Sequence, residues 1–319
     1  MTSGIANGVN TASSRLSTFR VVGFSILCIL PFVLAWEATR LLFQLVLEND
    51  TFSQIPLIPL VSMFLIFENR ARIFSKVNFG WISGFALMIP GLIFIGVARM
   101  NLWNLAETNP QSLLVFAIVC TWLGAFCLLF GSDAFRAAVF PLMFLFFMVP
   151  IPEPLLSKTV YLLQAGSSSM AEAFFAIARV PYHRQQFVFE LPGVTIRVAE
   201  ECSGIRSTLA LLITTVLAGY VFLKSSWRRF VLCAAVVPIA LIKNGLRVAT
   251  LSTLSIYVNR AFLYGNLHHR GGIVFFVLAL LPMALLLRIL QKSEERSLVK
   301  PASPGAAAVT SVVLSQNNN

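Results

Sequence analysis

The twenty residues from Ser112 to Gly131, SLLVFAIVCTWLGAFCLLFG, contain no charged side chain. A transmembrane helix needs about 20 mostly apolar residues to cross the hydrocarbon core of a bilayer. Similar runs recur along the 319 residues, and the mean hydropathy of the chain is +0.82. Charged residues make up 12% of the chain, against about a quarter in soluble domains. The composition predicts an all-α polytopic membrane protein and excludes a separate soluble domain.

Apolar runs separated by charged or turn residues predict about eight transmembrane helices. Their predicted bounds are Val21–Leu45, Ile55–Phe67, Phe79–Ala98, Ser112–Gly131, Ala137–Ile151, Ser207–Leu223, Phe230–Leu251 and Gly271–Leu290. The second run is short, so it needs help from its flanks or a locally thin bilayer to cross.

The positive charge of the chain alternates along the predicted loops. The 24 Lys and Arg against 13 Asp and Glu give a net charge of +11, which in a soluble protein would suggest nucleic acid as a partner. In a membrane protein, short basic loops stay in the cytoplasm, and here every second loop is basic. The pattern predicts a multi-pass protein of the inner membrane with both termini cytoplasmic, in contact with lipid and not with nucleic acid.

The loop charges also predict how the chain is divided. Residues 1–20 form a cytoplasmic N-terminal segment and residues 21–290 form the membrane domain. Residues 291–319 are polar or low in complexity, which predicts a disordered cytoplasmic tail.

The longest predicted extracytoplasmic segment covers residues 152–206. Leu155–Ala178 has helical spacing and is expected to lie along the membrane interface or to dip into it. Residues 186–199 carry β-branched and aromatic side chains on either side of Pro192-Gly193, a dipeptide that favours a turn. The sequence therefore predicts a small β-hairpin that leads directly to Cys202.

Cys202 differs from the other four cysteines, which lie in apolar runs where a thiol usually packs as a small hydrophobe. No CxxC pair is present, so spacing supports neither a zinc site nor a redox pair. Cys202 lies at a predicted helix N-terminus, where unpaired N–H groups favour a thiolate, and Arg206 follows one turn later. Glu200 and Glu201 oppose that effect. An isolated cysteine at a span boundary ordinarily has no catalytic role. Whether Cys202 is catalytic therefore depends on which other residues lie at the same face of the membrane.

Two further groups are predicted at the outer face. Asn244 and Arg247 lie about 24–29 Å along the seventh span from its basic inner end. Arg247 either has a function or extends to the outer headgroups. His268 and His269 open the last span, where a lone histidine is more often a surface residue. The loop charges nevertheless place Cys202, Arg247 and His268 at the outer ends of three successive helices.

This combination is typical of a cysteine peptidase or transpeptidase. Cys202 would be the nucleophile, and His268 would hold the thiolate as an ion pair and protonate the leaving amine. Arg247 would stabilise the oxyanion or clamp the substrate. Such chemistry needs no cofactor and no metal.

At these residues the sequence resembles the exosortase/archaeosortase family of multispanning membrane enzymes. The resemblance rests on Glu201-Cys202-Ser203-Gly204-Ile205-Arg206, on Asn244-Gly245-Leu246-Arg247, and on His268 followed by Gly272 and Phe276. It covers most of Thr51–Leu290. Ile273 departs from the family pattern, which often has Trp there, and the adjacent His269 leaves the choice of imidazole open.

The resemblance implies a Cys-Arg-His active site on the outer face, made of Cys202, Arg247 and His268. Arg206, Asn244 and His269 are expected as accessory residues. The implied partners are exported proteins with a C-terminal sorting signal of the PEP-CTERM kind, in which a short motif precedes a hydrophobic span and a basic tail. The family is thought to cleave this signal and to transfer the protein to an acceptor, whose identity the sequence does not reveal.

Two other functions remain open. A transporter or a component of polysaccharide export would use Arg247 and the histidines to line a path, although the spans before the sixth are nearly free of charge. A metal-dependent intramembrane hydrolase would use His268, His269 and either Glu200 or Glu201 as ligands. Adjacent histidines are poorly spaced for joint chelation on a helix, and no HExxH motif is present.

Overall fold

The computed structural model describes residues 2–36, 39–40, 43–44, 55–99, 110–199, 203–259 and 266–299. These residues are mostly helical, with one small antiparallel sheet. The chain divides into two compact units, residues 1–160 and 161–319.

The first unit is built from helices. They are α1 (Thr2–Leu34), α2 (Leu57–Glu68), α3 (Arg70–Ile73), α4 (Trp81–Arg99), α5 (Pro110–Ala137), α6 (Val139–Phe144) and the start of α7 (Glu153–Ile177). α4 and α5 pack so closely that a Cβ atom on Gly84 would lie 2.6 Å from the Leu128 Cα atom. A Cβ atom on Gly124 would likewise lie 2.5 Å from the Met88 backbone nitrogen. Small residues allow such close backbone approach between membrane helices.

Four helices in the described part of the chain are long and apolar enough to cross a membrane. They are Gln111–Ala137, Ile205–Phe222, Ser226–Tyr257 and Ile273–Ser297. A fifth span is counted if Val139–Met148 and Glu153–Ile177, bent by 86°, form one broken span.

The prediction of eight spans is therefore not confirmed. The first three predicted spans correspond to shorter apolar helices, Thr18–Leu34, Leu57–Glu68 and Trp81–Val97. The end of the first predicted span falls partly outside the described residues. A helix of 12 residues, such as α2, rises only about 18 Å, whereas the hydrocarbon core is about 30 Å thick.

The fifth predicted span is also broken in the structure. α6 ends at Phe144, a short 3₁₀-helix covers Leu145–Met148, and the chain bends before α7 begins at Glu153. Pro150 and Pro152 lie in the break. Proline lacks the backbone N–H and its ring clashes with the preceding turn, so two prolines this close together favour a break in the helix.

Among its described residues, the second unit holds the rest of α7, the sheet and four further helices. These helices are α8 (Ile205–Phe222), α9 (Ser226–Ala234), α10 (Val236–Tyr257) and α11 (Asn266–Val299). α11 continues past residue 291, where the sequence predicted a disordered tail, so the first part of that segment is helical instead. The carboxylate of Glu294 accepts hydrogen bonds from the backbone N–H groups of Lys224 and Ser225, at 3.0 and 2.7 Å, and anchors this end of α11. Residues 300–319 lie outside the described part.

The sheet lies directly before the Cys202 segment. Its strands are β1 (His183–Gln185), β2 (Val188–Leu191) and β3 (Val194–Arg197), paired antiparallel in that order. Pro192-Gly193 joins β2 to β3, and Gly193 has a φ of +75°, as a type II turn requires. β1 is a third strand that the sequence analysis did not predict. The sheet packs on α7 and α10 through a buried cluster made of Ala171, Phe175, Val180, Phe189, Leu191, Ile196, Val198 and Ala249.

Candidate active site

A left-handed turn at Gly204 opens α8. Gly204 has a φ of +80°, a conformation that glycine adopts without steric cost because it lacks a Cβ atom. Its carbonyl oxygen accepts hydrogen bonds from the backbone N–H and the hydroxyl of Thr208, both at 2.9 Å, and from the Ser207 hydroxyl at 3.0 Å. Ser203, just before it, is buried. We call Ser203–Thr208 the Gly204 turn.

α10 packs against the Gly204 turn. A Cβ atom on Gly204 would lie 3.0 Å from both Cγ and Oδ1 of Asn244, so the Asn244 amide fills the space beside the glycine. Asn244 is 2% exposed. The preceding residue, Lys243, is 6% exposed and donates a hydrogen bond from Nζ to Ser207 Oγ. Two neighbouring residues of α10 thus hold the first turn of α8.

The two arginines predicted for the site lie on the same two helices. Arg247 follows Asn244 by three residues on α10 and is half-buried. Residues three apart lie on one helix face, so Arg247 shares the face whose Asn244 side chain contacts the Gly204 turn. Arg206 is exposed in the first turn of α8.

Cys202 lies outside the described residues, as do its neighbours Glu200 and Glu201. Covalent geometry still bounds its distance from the site. Consecutive Cα atoms are about 3.8 Å apart, so the Cα atom of Cys202 is at most about 7.6 Å from that of Gly204. The contact between Gly204 and Asn244 therefore brings the cysteine motif and the Asn-Arg motif, 40 residues apart in the sequence, to one place.

The two histidines are described by their backbone alone. His268 and His269 lie in the first turn of α11, which begins at Asn266. α11 packs on α8 and α10 through a buried cluster that includes Leu211, Val236 and Ala279. The three helices that the sequence predicted to carry the site are thus packed together in the second unit.

The strand that leads to Cys202 is fixed by a buried side chain of α7. Gln164 is 5% exposed, and its Nε2 donates a hydrogen bond to the carbonyl oxygen of Val198. The Val198 backbone N–H in turn donates to the Phe187 carbonyl oxygen at 2.9 Å. The backbone of Val198, four residues before Cys202 in the sequence, is therefore hydrogen-bonded through both its carbonyl and its N–H group.

α7 and α10 run in the same direction over this region. A Cβ atom on Gly166 would lie 2.8 Å from a Leu241 methyl carbon, and one on Gly245 would lie 2.9 Å from the Ala171 backbone nitrogen. The second contact lies further towards the C-terminus than the first on both helices, so the two helices are parallel here. α10 belongs to a candidate membrane span, and α7 is the second helix of the bent pair that counts as a fifth candidate span. The expectation that this helix lies along the membrane interface or dips into it stays a prediction.

Sequence analysis missed two polar residues that the structure brings to this region. Lys243 directly follows the apolar run VVPIALI, and an ionisable residue in a span is a functional candidate by default. An ionisable side chain inside a predicted span therefore points to Lys243 as well as to Arg247. Gln164 had no comparable signal, because its partner Val198 is 34 residues away in the sequence.

These features define a multi-pass helical membrane protein with buried polar groups where the start of one apolar helix meets the middle of another. The family model named transmembrane exosortase matches residues 44–285, about three quarters of the chain. The chain belongs to this family, whose general role is the processing of sorting signals. No curated protein and no solved structure matches the chain.

Proposed function

We propose that the protein is a membrane cysteine peptidase or transpeptidase that removes a C-terminal sorting signal from exported proteins. The contact between Gly204 and the Asn244 amide carries the proposal. It joins the segment that contains Cys202 to the helix face that contains Arg247. Family membership supports the same class of reaction.

In the proposed reaction, the thiolate of Cys202 attacks the scissile carbonyl carbon, forming a C–S bond and an oxyanion. The guanidinium of Arg247 stabilises this oxyanion. Collapse of the intermediate breaks the C–N bond, and the imidazolium of His268 gives its proton to the leaving amine. The product of this half-reaction is a thioester on Cys202.

The second half-reaction returns the enzyme to its starting state. An acceptor nucleophile, or water, attacks the thioester carbonyl while His268 takes up its proton, and the C–S bond breaks to regenerate the thiolate. Arg206, Asn244 and His269 are accessory residues in this proposal. Asn244 supports the turn beside the nucleophile, and His269 is the alternative acid/base.

The proposed location follows from the loop charges. Both termini are cytoplasmic, and the site faces outward from the inner membrane, so a substrate reaches it only after export. The proposed substrates end in a short motif such as Pro-Glu-Pro, an apolar span and a basic tail.

The proposal is tested with an exported reporter that ends in Pro-Glu-Pro, an apolar span of about 20 residues and a basic tail. C202A should abolish its processing, and wild-type enzyme should yield a hydroxylamine-sensitive thioester at Cys202. Cys233, a half-buried free thiol in α9, provides the matched control, so C233A should process normally. Normal processing by C202A would overturn the proposal.

A further inference from the structure

Lys243 is a buried cation in a helix that belongs to a candidate membrane span. It is 6% exposed, so its ammonium group does not extend to solvent or headgroups as lysines near helix ends often do. A lysine inside a membrane span is costly unless it is paired or hydrogen-bonded. Its presence at this position therefore points to a role.

Two consecutive hydrogen bonds, through the Ser207 hydroxyl, link the ammonium group of Lys243 to the carbonyl oxygen of Gly204. Nζ donates to Ser207 Oγ, and the Ser207 hydroxyl donates to the Gly204 carbonyl oxygen at 3.0 Å. A serine hydroxyl has one proton to donate and two lone pairs to accept with, so it can make both bonds at once. Each bond polarises the next, and the chain orients the hydroxyl in one direction only.

The hydrogen bonds from Lys243 through Ser207 to Gly204 act on the part of the site where geometry matters most. Gly204 follows Cys202 by two residues, and the same helix that supplies Lys243 also supplies Asn244 and Arg247. A shift of the turn would therefore move the nucleophile relative to the arginine. Misplacing a reacting group by about 1 Å can cost about 100-fold in rate.

We infer that Lys243 is a positioning residue of the active site, which orients the Gly204 turn through Ser207 and so sets the place of Cys202 beside Arg247. This inference rests on the proposed function, because it takes Cys202 to be the nucleophile. Lys243 itself does not touch the substrate in this scheme.

Lys243→Met separates this role from a purely structural one. Methionine has a similar length, and replacing a buried charge by an apolar side chain is often neutral or stabilising. K243M should therefore insert and melt at the wild-type temperature or above it. Processing of the reporter should fall about 10- to 100-fold in kcat, with KM changed by less than about twofold, because binding of the signal is not affected.

A double-mutant cycle with Ser207→Ala tests the hydrogen-bonded chain itself. S207A leaves the buried ammonium without its acceptor, so it should lower both the melting temperature and kcat. In K243M/S207A the unpaired charge is gone, so stability should recover while kcat stays as low as in either single variant. S207T keeps the hydroxyl and should retain most of the activity.

Thr214 provides the matched control for loss of a hydroxyl from α8. Its hydroxyl donates to the Ala210 carbonyl oxygen at 2.8 Å, two turns beyond the Gly204 turn. T214V should process the reporter as wild type does.

Three results would overturn the inference: wild-type kcat in K243M, additive losses of kcat in the double variant, or equal losses in T214V and S207A. Failure of the proposed function is recognised separately, by processing in C202A. An inactive C202A with a fully active K243M would leave the proposed function intact and remove only the role of Lys243.

Discussion

Replacing Gly204 by alanine would show how tightly the Gly204 turn is confined. A Cβ atom there would lie 3.0 Å from Cγ and Oδ1 of Asn244, and Asn244 is buried, so its amide has no open space to move into. Overpacking of this kind costs about 1–3 kcal/mol. The left-handed conformation, with φ at +80°, adds about 1–2 kcal/mol for a residue with a Cβ atom. We expect G204A to lose about 2–5 kcal/mol of unfolding free energy.

The assay combines a thermal melt of the purified protein with processing of the reporter. G204A should melt several degrees lower and process at least about tenfold more slowly, because the turn beside Cys202 is displaced. Gly193→Ala is the matched control. Gly193 also has a positive φ, +75°, but it lies in the turn between β2 and β3. G193A should lose only the unfolding free energy that the left-handed conformation costs, and it should process the reporter at the wild-type rate.

Wild-type stability and activity in G204A would refute this reasoning. An equal loss of processing in G193A would also refute it, because strain alone would then explain the effect. In the G204A/N244A variant, removal of the amide should return the part of the stability that overpacking costs, although its activity stays low.

Three further predictions concern the scaffold. Gln164→Leu should lower the melting temperature, because the buried Val198 carbonyl loses its hydrogen bond at a cost of about 1–3 kcal/mol; an unchanged melt would contradict it. Gly84→Ala should reduce accumulation of folded protein, since its Cβ atom would meet backbone atoms of Leu128. Gly96→Ala, whose Cβ atom meets nothing within 4 Å, should not. Single cysteines placed at both termini should be labelled by an impermeant maleimide only after the membrane is opened, and labelling of intact cells would refute the predicted topology.

The second unit shows which features can be predicted from sequence. The apolar runs that predicted the sixth and seventh spans appear as α8 and as α9 followed by α10, because the hydropathy of a run is a local property of its composition. Pro192-Gly193 forms a turn in the structure, since these two residues constrain their own backbone. The order of the cysteine, arginine and histidine motifs can also be read from the sequence without a structure.

Two other features differ from what the composition of the apolar runs predicts. The run around Ala137–Ile151 has the composition of a span, yet the chain turns by 86° after it. Near the other end, α11 extends into the predicted tail because Glu294 finds backbone donors 70 and 69 residues away. Pro150 and Pro152 break the helix in the first case, and only the extension of α11 depends on a partner distant along the chain.

Hydropathy and short motifs are read residue by residue, so the amino-acid sequence is enough to identify a multi-pass membrane protein of the exosortase family. The packing of Gly204 on Asn244, and the hydrogen bond from Lys243 to Ser207, 36 residues earlier, are visible only in the three-dimensional structure. Those contacts arise where α8 meets α10. The physical reason is that a side chain's neighbours are set by helix packing, and spacing along one helix does not predict which residue of another helix it will meet.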